Sequence, residues 1–232
     1  MLDIRGWQKE SLIEWPKKIC SVIWVGGCNF FCPWCSNFDL ARHPEKFPLI
    51  KEKDVLKFLK ENVLLDGLAI TGGEPSIDKN FKDLVGFIEK VKSLKKLVGI
   101  ETNGSNPEAI EFLNKKKLVD FWAMDVKAPL DENKYKLLTG VNVDVDKIKK
   151  SINLILEFSG EKEFRTTVVP GFLTKKDILE IAEALKGADT YVLQKFHPEL
   201  AKGEWLENYS SDFLKDLKES CQKYIKNVRL RL

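Results

Sequence analysis

The sequence predicts a single α/β domain built as a partial (β/α)6 TIM-like barrel. Three observations lead to this prediction: apolar strand-like runs alternate with amphipathic helical segments, the length of 232 residues suits one domain, and no Pro-, Gly- or Ser-rich linker divides the chain. A strand followed by a helix, repeated six times, implies parallel strands joined by right-handed crossovers. A full eight-unit barrel takes about 250 residues. Six units therefore favour an incomplete barrel, with an open doubly wound sheet as the alternative.

Six strands are expected where short apolar runs stand between turn-forming residues. In chain order they cover residues 19–25, 67–71, 97–102, 119–126, 163–169 and 190–195. A further short run at 228–232 follows the last helix. We therefore expect one domain over residues 1–232, with its core at about 19–197 and a C-terminal helix and short strand within 211–232.

Helices are expected between these strands, because apolar residues there recur every three or four positions. Pro107 favours the start of the third helix, and Thr174 is a suitable N-cap for the fifth. The apolar faces, in order, are Val55, Phe58 and Leu59; Phe81, Leu84, Val85 and Ile88; Ala109, Ile110 and Leu113; Ile148, Ile152 and Ile155; Ile178, Ile181, Ala182 and Leu185; and Phe213, Leu217, Cys221 and Tyr224.

Composition narrows the class of protein. The 38 basic and 35 acidic side chains leave a net charge of +3, which is too small to indicate a nucleic-acid-binding protein. No apolar run reaches the length of about 20 residues that a membrane span needs, and the first residues do not resemble a secretory signal. The odd number of five cysteines argues against a disulfide framework. A cytoplasmic protein without membrane or nucleic-acid partners is expected.

Three of the cysteines, Cys28, Cys32 and Cys35, lie on one short loop after the first predicted strand. Three thiolates bind a [4Fe-4S] cluster while leaving one iron open to another ligand, and Phe30, Phe31 and Trp34 would shield such a cluster from water. Structural zinc usually takes four ligands. The alternatives are therefore a Cys3His zinc site completed by His43, or three cysteines that only pack.

Polar residues and one pair of glycines follow or lie within the later predicted strands. They are Gly72, Gly73 and Glu74; Glu101 and Asn103; Asp125 and Lys127; Arg165; and Gln194 and His197. Each group alone has an ordinary explanation as a turn, a surface ion pair or a loop residue. A buried guanidinium at Arg165, however, needs an anionic partner. Because the carboxyl ends of parallel strands meet at one edge, these groups predict a polar pocket beside the cysteine loop.

S-adenosylmethionine has the chemistry that such a pocket would bind. Its ammonium group needs carbonyls or carboxylates, and its carboxylate needs a cation such as Lys127 or Arg165. Its adenine needs an aromatic or apolar wall such as Trp34.

Two motifs together, Cys28-x3-Cys32-x2-Cys35 and Gly72-Gly73-Glu74-Pro75, resemble the radical S-adenosylmethionine superfamily. Between about Ser11 and His197 the chain is also similar to the glycyl-radical-enzyme activating proteins, above all the anaerobic ribonucleoside-triphosphate reductase activating branch. The similar segments are Ser11 to Pro16, Glu101 to Gly104, Met124 to Lys127, Arg165 through Val169 to Gly171, and Phe196-His197. Lys17 and Ser36 depart from the usual glycine and histidine of that group.

The resemblance implies one [4Fe-4S] cluster, with S-adenosylmethionine chelated to its open iron. Gly72, Gly73 and Glu74 would hold the methionyl amino group, Lys127 the carboxylate and His197 the ribose. Glu101, with Asn103 in the same motif, and Asp125 would contact the cofactor or a nearby cation.

The implied reaction takes a hydrogen atom from a glycine of a partner glycyl radical enzyme. An anaerobic ribonucleoside-triphosphate reductase is the candidate partner, and a flavodoxin- or ferredoxin-type protein the electron donor. A second cluster is not expected, since Cys20 and Cys221 stand alone and suit packing.

Two other functions stay open at this stage. One is a 7-carboxy-7-deazaguanine synthase, which would use the same cofactors on a small pterin; the segment from Ser11 to Pro16 argues against it. The other is a non-enzymatic zinc protein, in which the residues at the strand ends would be structural only.

Overall fold

A computed structural model describes residues 1–201 and 209–232. Its centre is one eight-stranded sheet, in which the strands follow each other in chain order. The strands are β1 (Ile4–Ser11), β2 (Cys20–Val25), β3 (Gly67–Gly72), β4 (Leu97–Thr102), β5 (Phe121–Asp125), β6 (Glu161–Val168), β7 (Tyr191–Lys195) and β8 (Val228–Arg231). Strands β2 to β8 are all parallel, and β1 pairs antiparallel with β2. The predicted α/β partial barrel is confirmed.

Helices cover the outer face of the sheet. They are α1 (Phe38–Arg42), α2 (Glu52–Glu61), α3 (Asp78–Ser93), α4 (Pro107–Lys115), α5 (Glu132–Thr139), α6 (Val145–Leu156), α7 (Lys175–Ala184) and α8 (Ser211–Cys221), with 3-10 turns at Pro44–Lys46 and Pro198–Leu200. Pro107 is the first residue of α4, and Thr174 caps α7 in a capping box with Asp177. Both predicted helix starts are confirmed. No helix within the two described ranges is long and apolar enough to cross a membrane.

Strand β1 and helices α1 and α5 are not among the elements predicted from the sequence. The segment of β1 from Gln8 to Glu10 is polar and exposed, so it lacks the alternation of apolar and polar residues that indicates a strand. Helix α1 has only five residues. Helix α5 has few apolar residues on its buried face, which includes Tyr135 and Leu138. Strand β1 matters most for the architecture, because β1 and β8 are the two edges of the sheet. The barrel stays open between these two strands, and we call this opening the seam.

The two faces of the sheet pack in different ways. Inside the barrel, Trp15 stacks on Phe121 with 5.1 Å between ring centroids. Cys20 lies in the same interior cluster, whereas Cys221, the last residue of α8, is buried in the main core. Both isolated cysteines therefore pack, as predicted. The interior cluster closes the amino-terminal end of the barrel, and the carboxyl-terminal end holds a cavity.

Candidate active site

A cavity of about 330 Å³ opens at the carboxyl edge of the sheet. Every residue predicted from the sequence as a site residue lines it: Cys28, Cys32, Trp34, Cys35, Gly72, Gly73, Glu74, Glu101, Asn103, Asp125, Lys127, Arg165 and His197. The reason is topological, since parallel strands deliver the loops that follow them to one edge. The cavity also contains residues that the sequence analysis did not select, notably Glu14, Arg42 and Arg231.

The cysteine loop is pinned to the end of α5. The Phe31 backbone N–H donates to the Thr139 carbonyl at 2.7 Å, and the Trp34 indole N–H donates to the Leu138 carbonyl at 2.9 Å. Gly140 adopts a φ of 69° there, and a Cβ on it would lie 2.4 Å from the Phe31 carbonyl oxygen. Helix α5, missed from the sequence, thus fixes the position of the loop.

Burial affects all three thiols of the loop, and the Cys28 sulfur also accepts hydrogen bonds. The Cys28 sulfur accepts hydrogen bonds from the Phe30 backbone N–H at 3.4 Å and the Asn103 side-chain amide at 3.9 Å. Burial raises the pKa of Cys28 to about 11 and that of Cys32 to about 12, and it also raises the pKa of Cys35. Metal binding at this loop must therefore release protons from the thiols.

The aromatic shield around the loop differs from the expectation in one position. Phe30 and Trp34 are buried and line the cavity. Phe31 is 46% exposed and instead packs edge-on against Phe38, with the Arg42 guanidinium 4.1 Å from its ring centroid. The backbone bond of Phe31 to α5 turns its side chain outward, so the predicted shielding role of Phe31 is wrong.

One buried donor indicates what the cysteine loop accommodates. Among the described residues, Arg42 Nη2 is one of two buried side-chain polar atoms without a hydrogen-bond partner, and Arg42 lines the cavity. A buried N–H without a partner is costly, whereas an anionic group beside it removes the cost. Three thiolates together with this cation fit a thiolate-bound iron–sulfur cluster, whose sulfur atoms accept hydrogen bonds.

His43 does not complete a zinc site with the cysteines. Its side chain is half-exposed at the end of α1 and lies 3.4 Å from Glu45, outside the set of residues that line the cavity. Within the described part of the chain, no group of three His, Cys, Asp or Glu side chains converges in a way suited to one metal ion. The donor set thus offers three thiols without the histidine that the zinc alternative requires.

Gly72, the last residue of β3, and Gly73 pack closely against the start of the cysteine loop. The Glu74 backbone N–H donates to the Gly27 carbonyl at 2.8 Å, and Gly72 adopts a φ of 124°. A Cβ on Gly73 would lie 1.8 Å from the Gly27 carbonyl oxygen, which no side chain tolerates. Glycine at position 73 is therefore a condition for the close approach of the two loops.

Replacing Gly73 with alanine is expected to displace one of these loops. We expect Gly73→Ala to lower the free energy of unfolding by about 1–3 kcal/mol and to weaken S-adenosylmethionine binding at least tenfold, measured by chemical denaturation and equilibrium dialysis. Gly86→Ala is the control: no atom lies within 4 Å of its added Cβ on α3, so we expect a stabilisation of about 0.5–1 kcal/mol. Equal effects of the two substitutions would contradict this prediction.

Glu74 lines the cavity and also connects two neighbouring loops by hydrogen bonds. Its buried carboxylate accepts hydrogen bonds from the Ser76 hydroxyl at 2.6 Å, the Thr102 hydroxyl at 2.9 Å and the Asn103 backbone N–H at 2.6 Å. Burial raises its pKa, and these hydrogen bonds oppose that rise. The carboxylate thus joins the loops after β3 and β4, a role that the sequence did not indicate.

Lys127 lies between two candidate ligand-binding groups. Its ammonium is 3.0 Å from the Asp125 carboxylate and 5.1 Å from the centroid of the Trp34 ring. Burial by itself would lower the pKa of Lys127, but the negative charge of Asp125 outweighs it, and the pKa lies above its ordinary value. A charged, largely buried ammonium can hold a carboxylate at this point of the cavity.

Arg165 has protein carboxylates as its partners. Its Nε is 2.6 Å from Glu163, its Nη1 bonds Glu101, and its Nη2 donates to the Glu14 carbonyl at 3.0 Å. Arg165 outweighs the effect of burial and holds the pKa of Glu101 below its ordinary value. The anionic partner expected for Arg165 is therefore within the protein, and Glu101 is equally engaged.

Glu14 and His197 complete the polar outline of the cavity. Burial first, and then the nearby Glu101 carboxylate, raise the pKa of Glu14 to about 7, while Arg165 and Arg231 oppose that rise. His197 lies at the rim, partly exposed, with Nδ1 2.9 Å from Glu199. The cavity thus has a buried charged floor, a cysteine wall and an accessible rim.

An open parallel barrel with a three-cysteine loop and a polar cavity at its carboxyl edge defines an enzyme that binds a metal cluster together with a small polar cofactor. The chain belongs to the radical S-adenosylmethionine superfamily, whose family model matches residues 22–188. Membership implies a [4Fe-4S] cluster and S-adenosylmethionine as cofactors.

Three relatives illustrate the similarity. A Methanocaldococcus jannaschii protein, provisionally named a glycyl-radical enzyme activating enzyme, is 34% identical over 95% of this chain and 92% of its own. The 7-carboxy-7-deazaguanine synthase of Clostridium acetobutylicum is 29% identical over 63% of this chain and 70% of its own. The solved structure of Streptococcus suis SuiB bound to S-adenosylmethionine has a TM-score of 0.68 and 20% identity, and covers 89% of this chain and 48% of that one. The chain thus spans about half of that structure, and at this identity the likeness concerns the fold alone.

Proposed function

We propose that this radical S-adenosylmethionine enzyme activates a partner glycyl radical enzyme, of the anaerobic ribonucleoside-triphosphate reductase type, by removing a hydrogen atom from a glycine Cα. The similarity to the Methanocaldococcus jannaschii protein carries the proposal, because it extends over 95% of this chain and 92% of that relative. The seam between β1 and β8 supports it, since a sheet whose two edges are not paired can admit a large substrate at its side.

The cofactors supply the radical chemistry. A cluster held by Cys28, Cys32 and Cys35 would supply the one electron needed to cleave S-adenosylmethionine to methionine and a 5′-deoxyadenosyl radical, and removal of the glycine hydrogen atom by this radical would give 5′-deoxyadenosine and a glycyl radical. We propose a flavodoxin- or ferredoxin-type protein as the electron donor.

The protein's own residues bind and orient these groups. Cys28, Cys32 and Cys35 would hold the cluster, and the backbone at Gly72 and Gly73 would meet the methionyl amino group. Lys127, kept charged by Asp125, would hold the methionyl carboxylate. Trp34 would border the adenine and His197 the ribose. Glu74, Glu101 and Arg165 act chiefly by fixing the loops, because their polar atoms are already engaged within the protein.

The test is glycyl radical formation. The anaerobically reconstituted protein is incubated with dithionite, S-adenosylmethionine and an anaerobic ribonucleoside-triphosphate reductase, and electron paramagnetic resonance is recorded. We expect a glycyl radical signal that is absent when the target glycine of the partner is replaced with alanine. Cleavage of S-adenosylmethionine without this signal, across the available glycyl radical enzymes, would refute the proposal.

A second candidate is a 7-carboxy-7-deazaguanine synthase, favoured by the 29% identity to the Clostridium acetobutylicum enzyme. The similarity covers 63% of the chain, which is less than the match that favours the activase. Incubation with 6-carboxy-tetrahydropterin separates the two, because only the synthase would form 7-carboxy-7-deazaguanine.

A further inference from the structure

Two charged residues on the floor of the cavity have no assigned role in holding the cofactor. Glu14 lies on the segment between β1 and β2, and Arg231 is the last residue of β8. Both line the cavity, and they come from the two edges of the sheet. The pair thus lies where the seam meets the cavity.

The distances from Glu14 and Arg231 to their charged partners are longer than the distance from Arg165 to Glu163. Glu14 Oε2 lies 3.7 Å from Arg231 Nη1 and 4.0 Å from Arg165 Nη1, beyond the usual hydrogen-bond range of about 2.7–3.2 Å. Arg231 Nη2 donates to the Ile13 carbonyl at 3.3 Å. Arg165, in contrast, bonds Glu163 at 2.6 Å. Arg231 Nη2 also lies 3.8 Å from Glu163, and the Glu14 side chain is hydrogen-bonded to that of Glu101. A carboxylate has about four acceptor positions and a guanidinium five N–H donors, so each residue keeps hydrogen-bonding positions that these contacts do not use.

The target of the proposed reaction limits how an enzyme can recognise it. A glycine has no side chain, so an enzyme can position it only through its backbone N–H and C=O and those of its neighbours. A carboxylate accepts from an N–H, and a guanidinium donates through five N–H groups. Glu14 and Arg231 place one acceptor and several donors side by side, which matches the two polar groups of a peptide unit.

We propose that Glu14 and Arg231 are positioning residues that hold the glycine-bearing segment of the partner enzyme by hydrogen bonds to its backbone. The proposal rests on the proposed function. The segment would pass the seam and lie over the floor of the cavity, with Glu14 accepting from a backbone N–H and Arg231 donating to a backbone C=O.

The test compares Glu14→Gln, Arg231→Gln and the double variant in glycyl radical formation at varied concentrations of the partner enzyme. We expect KM for the partner to rise about tenfold in each single variant, by more than kcat falls, and fewer glycyl radicals per 5′-deoxyadenosine formed. The double variant should lose less than the product of the two single effects, since both residues would hold one peptide unit. Arg231→Lys should restore part of the loss, because it keeps a donor.

Arg229→Gln is the matched control. Arg229 lies on the same strand, is exposed and does not line the cavity, so we expect no change in KM. Iron content and thermal unfolding are measured for each variant; if Glu14→Gln does not fold, the partly exposed Arg231 carries the test through Arg231→Gln and Arg231→Lys.

Several outcomes would overturn the inference alone. They are an unchanged KM in the variants, a fall in kcat without a rise in KM, and an equal rise in KM for Arg229→Gln. In each of these cases the wild-type enzyme still forms the glycyl radical. Failure of the wild type with every partner would instead refute the proposed function.

Discussion

Replacing Cys32 with alanine is expected to abolish reductive cleavage of S-adenosylmethionine. Cys32 is the most buried of the three cavity cysteines, with 7% of its surface exposed. The described cavity offers three thiols, so removing one leaves two at a cluster that needs three. Loss of a residue that only supports a metal ligand reduces metal affinity or activity about 10–100-fold. Loss of a ligand should exceed about a hundredfold on the same basis.

The measurement combines iron and sulfide content, the visible absorption of the reconstituted protein and the rate of 5′-deoxyadenosine formation. Cys221→Ala is the matched control, because Cys221 is also buried but packs in the core at the end of α8, away from the cavity. We expect this control to keep its iron and its activity and to lose about 1 kcal/mol of unfolding free energy. A Cys32→Ala protein with full iron content and activity would contradict the assignment of the cysteines.

The sequence was sufficient to predict the cavity because its signals are local and repeat along the chain. The polar residues lie within the strands or a few residues after them, as Glu74 follows β3 and Lys127 follows β5. Parallel pairing then brings these groups to one edge without further information. Asp125 and Lys127, which the sequence placed together at the end of one strand, form such a local pair, with 3.0 Å between the ammonium and the carboxylate.

The remaining part of the site depends on contacts distant in sequence, which no local pattern reveals. Arg231 reaches the cavity from the last strand, 218 positions away from its hydrogen-bond partner Ile13. Glu14 was seen only as part of a motif, since its carboxylate meets Arg231 only where the curved sheet brings its two edges near each other. The partners of Arg165 were unpredictable for the same reason, because Glu101 lies on another strand.

Replacing Arg165 with methionine is expected to destabilise the fold strongly at neutral pH. The guanidinium is 3% exposed and neutralises Glu163 and Glu101, both on the inner face of the barrel. Methionine keeps much of the apolar volume but leaves these carboxylates without their cation. Removing one partner of a buried ion pair costs about 3–5 kcal/mol of unfolding free energy. Lys175→Met removes a cation from an exposed pair with Asp216 and should cost at most about 1 kcal/mol.

The pH dependence gives this prediction its sharper test, because the contribution of Glu101 to stability should depend on pH in opposite directions in the two proteins. In the wild type, Arg165 holds the pKa of Glu101 below its ordinary value of 4.5, so this contribution is present above about pH 4.5 and is lost as pH falls through the folded-state pKa. Without Arg165, burial raises the pKa of Glu101, so the contribution of this carboxyl group to the stability of the variant is greatest when it is protonated and is lost as pH rises above about 4.5. Urea denaturation of both proteins between pH 4 and pH 8 should therefore show the difference in unfolding free energy widening as pH rises. A difference that is constant across this range would mean that Arg165 acts by packing, and that the charge of Glu101 does not depend on it.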